Sequence, residues 1–254
     1  MPKGKKVVRP KGRLDVAVAQ AARPATVPTR WVKAIVGLFL LPVAWVLTQT
    51  FFGALTWATV ERGFWASEPF WFFALGAILW GVIFFSLPRP IWAYVFGHEL
   101  THAIWVLLMG GRVHKFHVSR DGGHILTNKV NTWIALAPYF FPIYSVIAIV
   151  VYFLIGLFTE VQPYAWILYG AIGFTWAFHC AFTCSMIFKG QSDLEYGGNF
   201  FSLVIIYLAN LILLAALLII TSPEISARLF AMELLHNSMD FMDLVVRLVR
   251  RIPL

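Results

Sequence analysis

The stretch PIWAYVFGHELTHAIWVLLMGG, residues 90–111, sets His98, Glu99 and His102 in an apolar run that holds no other charged side chain. Residues four apart share one face of a helix. Both imidazoles therefore offer nitrogen to a single metal ion, while Glu99, a third of a turn round, polarises water beside it. A carboxylate and two imidazoles are costly in hydrocarbon and persist there mainly where they have a task. The bland alternative is a helix whose His and Glu satisfy one another or a neighbouring helix. Chance produces H-E-x-x-H in a chain of this composition on the order of 0.005 times, which favours the metal.

Around this stretch the chain is 60% hydrophobic, 17% aromatic and only 13% charged. That balance excludes an ordinary soluble globular domain and implies an all-α polytopic membrane protein. Uncharged windows place about six transmembrane helices at residues 34–59, 69–88, 90–110, 132–158, 163–188 and 200–221, each long enough for about 30 Å of hydrocarbon. Pro88 and Pro90 confine the second and third to a tight helical hairpin, and Gly110 with Gly111 ends the motif helix. Residues 112–129 alternate in strand fashion about Asp121, Gly122 and Gly123, so a short β-hairpin is expected there. Pro138 and Pro142 are expected to kink the fourth span.

Residues 1–30 form a basic, Pro-bearing segment that reads as a disordered cytoplasmic arm, against anionic lipid rather than nucleic acid. Two N-terminal transmembrane helices then occupy residues 31–89, and the motif-bearing membrane core residues 90–221. Residues 222–254 read as an amphipathic C-terminal helix begun by Ser222, Pro223 and Glu224, lying in the membrane interface or docked on the bundle. With six spans both termini are cytoplasmic, which gives 14 Lys and Arg inside and six outside, the four of the hairpin among the six. Cys180 and Cys184 share a helix face where a disulfide is awkward; they read as small apolar residues, with a zinc pair as second choice.

A catalytic zinc site takes three protein ligands, so His98 and His102 need one more. Asp193, in the glycine-bearing stretch KGQSDLEYGG (residues 189–198) between two spans, is the candidate if that stretch unwinds toward the metal; Glu195 and His179 are the alternatives. His114, His117 and His124 belong to the hairpin and read as solvated or interfacial. An H-E-x-x-H helix followed 91 residues later by an aspartate between spans resembles the site-2 protease family of intramembrane zinc metalloproteases. Here Ser192-Asp193-Leu194 stands in place of the family's L-D-G, no N-x-x-P precedes it, and no PDZ domain is inserted. The resemblance covers about residues 90–221. It implies zinc (Zn2+) on His98, His102 and Asp193, Glu99 as the catalytic base, a membrane-protein or peptide substrate, and a hairpin that presents an edge to that substrate.

The chain is accordingly expected to be a multi-pass zinc metallopeptidase, hydrolysing peptide bonds in or next to membrane-spanning segments. The rival class is a non-catalytic membrane protein, a proton-relay transporter or a protease-derived metal-binding scaffold. Against it stand the intact Glu99 and the lack of two similar halves.

Overall fold

A computed structural model describes residues 27–60, 63–119, 122–188, 191–222 and 225–251. Its helices are α1 (Val27–Val60), α2 (Gly63–Ala66), α3 (Glu68–Ser86), α4 (Ile91–Leu108), α5 (Thr132–Leu136), α6 (Ile143–Gly156), α7 (Ala165–Ile187), α8 (Ser192–Gly197), α9 (Asn199–Thr221) and α10 (Ala227–Arg250). The strands β1 (Val113–Ser119) and β2 (Gly122–Thr127) pair antiparallel, with a register irregularity between Val113 and Lys115. The expected arm lies mostly outside the described residues, and its last four, from Val27, are already helical.

Among the described residues, four helices are long and apolar enough to cross a membrane, or five if the pair Thr132–Tyr139 and Ile143–Gly156, bent by 80°, is one span. The bend falls at Pro142, as its missing N–H requires. Of the six expected spans, the fourth qualifies only as this bent pair, and the third does not qualify. The third forms the 18-residue α4, whose hydropathy is lowered by His98, Glu99 and His102. Apolar side chains such as Phe39, Phe85, Phe153 and Ile220 stand exposed along the long helices, a surface suited to hydrocarbon and not to water.

Packing fixes the directions of these helices. Lys33 reaches the Tyr196 carbonyl at 3.4 Å, Gly37 abuts Phe200, and Thr48 meets the Tyr207 hydroxyl at 2.6 Å, so α1 and α9 run parallel. The ring contacts Phe72–Trp166, Trp80–Phe178 and Phe84–Phe182 likewise rise together, so α3 and α7 are parallel. Gly76 and Gly173 allow their close approach, since a Cβ at either would strike the backbone of the other helix. Lipid gives apolar side chains no hydrophobic reason to associate, so this small-residue contact and the aromatic cluster around the buried Trp80 hold the pair. α6 runs against α7, with Ser145 bonded to Thr175 at 2.8 Å and Tyr152 to the Val161 carbonyl beyond the intervening turn. Hence α6 starts at the end of the bundle where α3 stops. Everything between them, α4, the hairpin and α5, leaves and returns at that same end.

α4 ends as expected. Gly110 (φ 74°) and Gly111 donate to the Leu107 and Val106 carbonyls, the paired bonds that close a helix on glycine. The hairpin then folds back along α4, with Phe116 edge-on to Phe96. α10 starts later than expected. Its N-cap is Ser226, whose Oγ accepts from the Leu229 N–H; Ser222 instead caps the end of α9, and Pro223 and Glu224 lie outside the described residues. One face of α10 docks on α1 through Phe230, Leu234 and the Asn237–Thr50 bond, while Met232, Leu235, Met239 and Met242 remain exposed.

Candidate metal centre

The polar face of α4 meets α8 and the turn after α5 in a small buried cluster. His98 Nε2 lies 3.2 Å from His102 Nε2 and 3.2 Å from Asp193 Oδ2, and His102 Nε2 lies 3.5 Å from the same oxygen. His98, His102 and Asp193 form a group that can hold a metal ion; His102 and Asp193 are 3% and 4% exposed. Asp193 comes from the short helix α8 rather than an unwound loop. The chain breaks between α7 and α8 and again at Gly198 (φ 85°), which swings the carboxylate into the bundle.

Both rings are held from behind. The Ile134 carbonyl lies 2.8 Å from His102 Nδ1, and the Tyr94 hydroxyl 3.2 Å from His98 Nδ1. A neutral imidazole has one donor and one acceptor nitrogen. The Ile134 carbonyl can only accept, so His102 Nδ1 carries the proton and its Nε2 presents a lone pair; His98 Nε2 does the same when the Tyr94 hydroxyl accepts from its Nδ1. Three acceptors facing one another repel unless a cation lies between them. Their separations match the tetrahedral edge of about 3.3–3.4 Å set by bonds of about 2.0–2.1 Å. The residues present therefore fit a divalent ion with a preference for nitrogen and oxygen.

Tyr139 completes the support. It is fully buried, donates its hydroxyl to Asp193 Oδ2 at 3.1 Å, and meets His98 edge-on; Asn210 in turn donates to its carbonyl. Hydrogen bonds behind metal ligands fix their orientation, and their loss costs about 10–100-fold in metal affinity or activity. Tyr139→Phe is expected to weaken metal binding by a factor in that range without unfolding the protein, as competition against a chromogenic chelator will measure. An unchanged affinity would remove Tyr139 from the site.

Glu99 is 3% exposed, and its Oε2 has no hydrogen-bond partner. Its side chain lies against β2, where a Cβ on Gly123 would come within 2.5 Å of Glu99 Cγ and 2.9 Å of Oε1. The hairpin thus closes over the carboxylate, and only glycine leaves it room. A buried carboxylate oxygen without a partner costs on the order of 1–3 kcal/mol, more when charged. Such a group is suited to receive a proton.

The other candidates stand apart from the triad. Glu195 is exposed on α8, Cys180 and Cys184 are free and exposed, and His114 and His117 are exposed on β1. His124 sits half-buried on β2 beside the His117 ring. His179 lines a cavity next to His98 but is not one of the three converging groups. Sequence reasoning missed Tyr94, Ile134, Tyr139 and Gly123. Only Tyr94 left a signal, one turn before His98 on the same helix face. No protein-family model matches this chain, and neither does any curated protein or solved structure.

Proposed function

We propose that the chain is an intramembrane zinc metallopeptidase of the kind the site-2 protease family contains. The observation that carries this reading is the triangle of His98 Nε2, His102 Nε2 and Asp193 Oδ2, with edges of 3.2, 3.2 and 3.5 Å. Zinc bound there supplies Lewis acidity toward a peptide carbonyl and toward water. His98, His102 and Asp193 hold it, while Ile134, Tyr94 and Tyr139 keep their ligating atoms aimed. Glu99 takes a proton from the attacking water and returns it to the leaving amine as the C–N bond breaks. The hairpin over Glu99 shields this exchange from bulk solvent. In the test, purified protein cleaves a labelled single-span substrate, a chelator abolishes cleavage and added zinc restores it. Cleavage that survives complete metal removal contradicts the reading.

We infer the orientation from the helix directions taken together with the charge count. With α1, α3, α6, α7 and α9 as five crossings, α4, the hairpin and the α7–α9 connection share a side with the N-terminal arm, and α10 starts on the other. That side then carries fifteen of the 20 Lys and Arg: nine in residues 1–33, Arg89, Arg112, Lys115, Arg120, Lys129 and Lys189. The positive-inside rule makes it the cytoplasmic side. This arrangement removes the conflict of the six-span count, which left the basic hairpin outside. After Cys180 and Cys184 are replaced by Ser, a cysteine at exposed His114 is expected to react with an impermeant maleimide from the cytoplasmic side and one at Arg251 from the opposite side. Labelling of Arg251→Cys from the cytoplasm would restore an even number of crossings.

A further inference from the structure

Among the described residues, His179 is the one histidine on the four helices long and apolar enough to cross a membrane, and its Nε2 is fully buried without a hydrogen-bond partner. A neutral imidazole nitrogen left buried and unpaired is unfavourable, so the position calls for a partner. Beside it, between α4, α6 and α7, lies a small, half-open pocket lined among others by Tyr94, His98, Thr101, Tyr144, Phe178 and His179. About 20 Å³ of it is open to the centre of a water molecule, enough for one water by the requirement of about 10–15 Å³ and too little for a peptide group. A buried water also needs two to four polar partners. Tyr94, Thr101 and His179 are its polar lining residues besides His98; the Thr101 hydroxyl donates to the Gly97 carbonyl and keeps lone pairs to accept, and the Tyr94 hydroxyl lies 3.2 Å from His98 Nδ1.

We infer that this cavity is a hydration site, and that His179 is the residue that keeps a water beside His98. The inference rests on the hydrolytic reading for its purpose, since each peptide bond cut consumes one water that hydrocarbon does not supply. His179 acts through that water and not as a metal ligand. It is a positioning residue. Thr183, one turn further along α7, is buried with its own hydroxyl unpartnered and continues the polar line toward the end of α7 at which the motif helix starts.

The test separates this site from the reaction. X-ray irradiation splits ordered buried waters into hydroxyl radicals that modify the side chains in contact with them, so Phe178 and Tyr144 report on the cavity. In wild type and in His179→Gln both are expected to be modified, Phe178 despite its burial and the half-buried Tyr144 beside it; in His179→Phe modification of Phe178 falls to the level of other buried aromatics, with bound zinc unchanged. Turnover of the model substrate is expected to fall about tenfold in kcat with KM retained, and to recover in the Gln variant, as loss of one hydrogen-bonded water predicts. If the Phe variant does not assemble, His179→Leu gives the same readout with less bulk. Equal modification of Phe178 in wild type and the apolar variant overturns the hydration site. Loss of zinc in His179→Gln overturns it as well, by making His179 a ligand. A wild-type protein that binds no zinc and cuts nothing refutes the proposed function and leaves the irradiation result to stand alone.

Discussion

Glu99→Gln is expected to retain zinc at the wild-type level and to lose about 10²–10⁴ of kcat, the usual contribution of a positioned general base. Glutamine matches glutamate in shape, so it fills the same space against Gly123 and leaves the hairpin seated on α4. What it lacks is the lone-pair basicity of the carboxylate. The amide cannot accept the proton of the attacking water and has none suited to give to the leaving amine. A substrate bound to this variant stays uncut, so co-purification of full-length substrate is a second expected result. Wild-type turnover in Glu99→Gln would exclude the assigned role.

Asp193→Ala is expected to empty the metal site and abolish cleavage together. It removes one of three ligands and leaves the Tyr139 hydroxyl, 3.1 Å from the lost oxygen, without its acceptor in a fully buried position. The unpaired hydroxyl costs on the order of 1–3 kcal/mol, so the variant unfolds somewhat earlier as well. Asp193→Asn separates the two effects. It keeps an acceptor for Tyr139 but loses the anionic ligand, so stability recovers while zinc does not. Glu195→Ala, on the exposed face of the same short helix, is expected to match wild type in zinc content and turnover. Full zinc occupancy in Asp193→Ala would show that the triangle is a hydrogen-bonded contact and not a ligand set.

How far the sequence carried depended on whether the deciding contacts were local. The i, i+4 spacing of His98 and His102, the glycines that end α4, and the alternation of residues 113–127 act within a few residues, and each appears where the pattern places it. The approach of Asp193 was legible only as one of two acids, with Glu195, in a glycine-bearing break. Its helical form and the turn at Gly198 depend on packing against the segment that carries Leu136 and Tyr139. Uncharged windows read α4 as a crossing because they register length and charge, whereas the proposed topology keeps it on one side. They do not register that α6 begins where α3 ends, a fact set by ring contacts between helices some 100 residues apart in sequence. Tyr139 and Gly123 carry no motif. Their roles exist only once the turn after α5 faces α8 and β2 covers Glu99. Ser222 with Pro223 and Glu224 looked like a helix start, yet Ser226, whose side chain meets the Leu229 N–H, supplies the cap.

Zinc K-edge X-ray absorption on the purified wild-type protein tests the shared ligand set most directly. The account predicts about one zinc per chain in a four-coordinate shell of nitrogen and oxygen at about 2.0–2.1 Å, with the outer-shell scattering of two imidazoles and no sulfur at about 2.3 Å. A spectrum with one imidazole or none, a sulfur shell, or no zinc retained would contradict it.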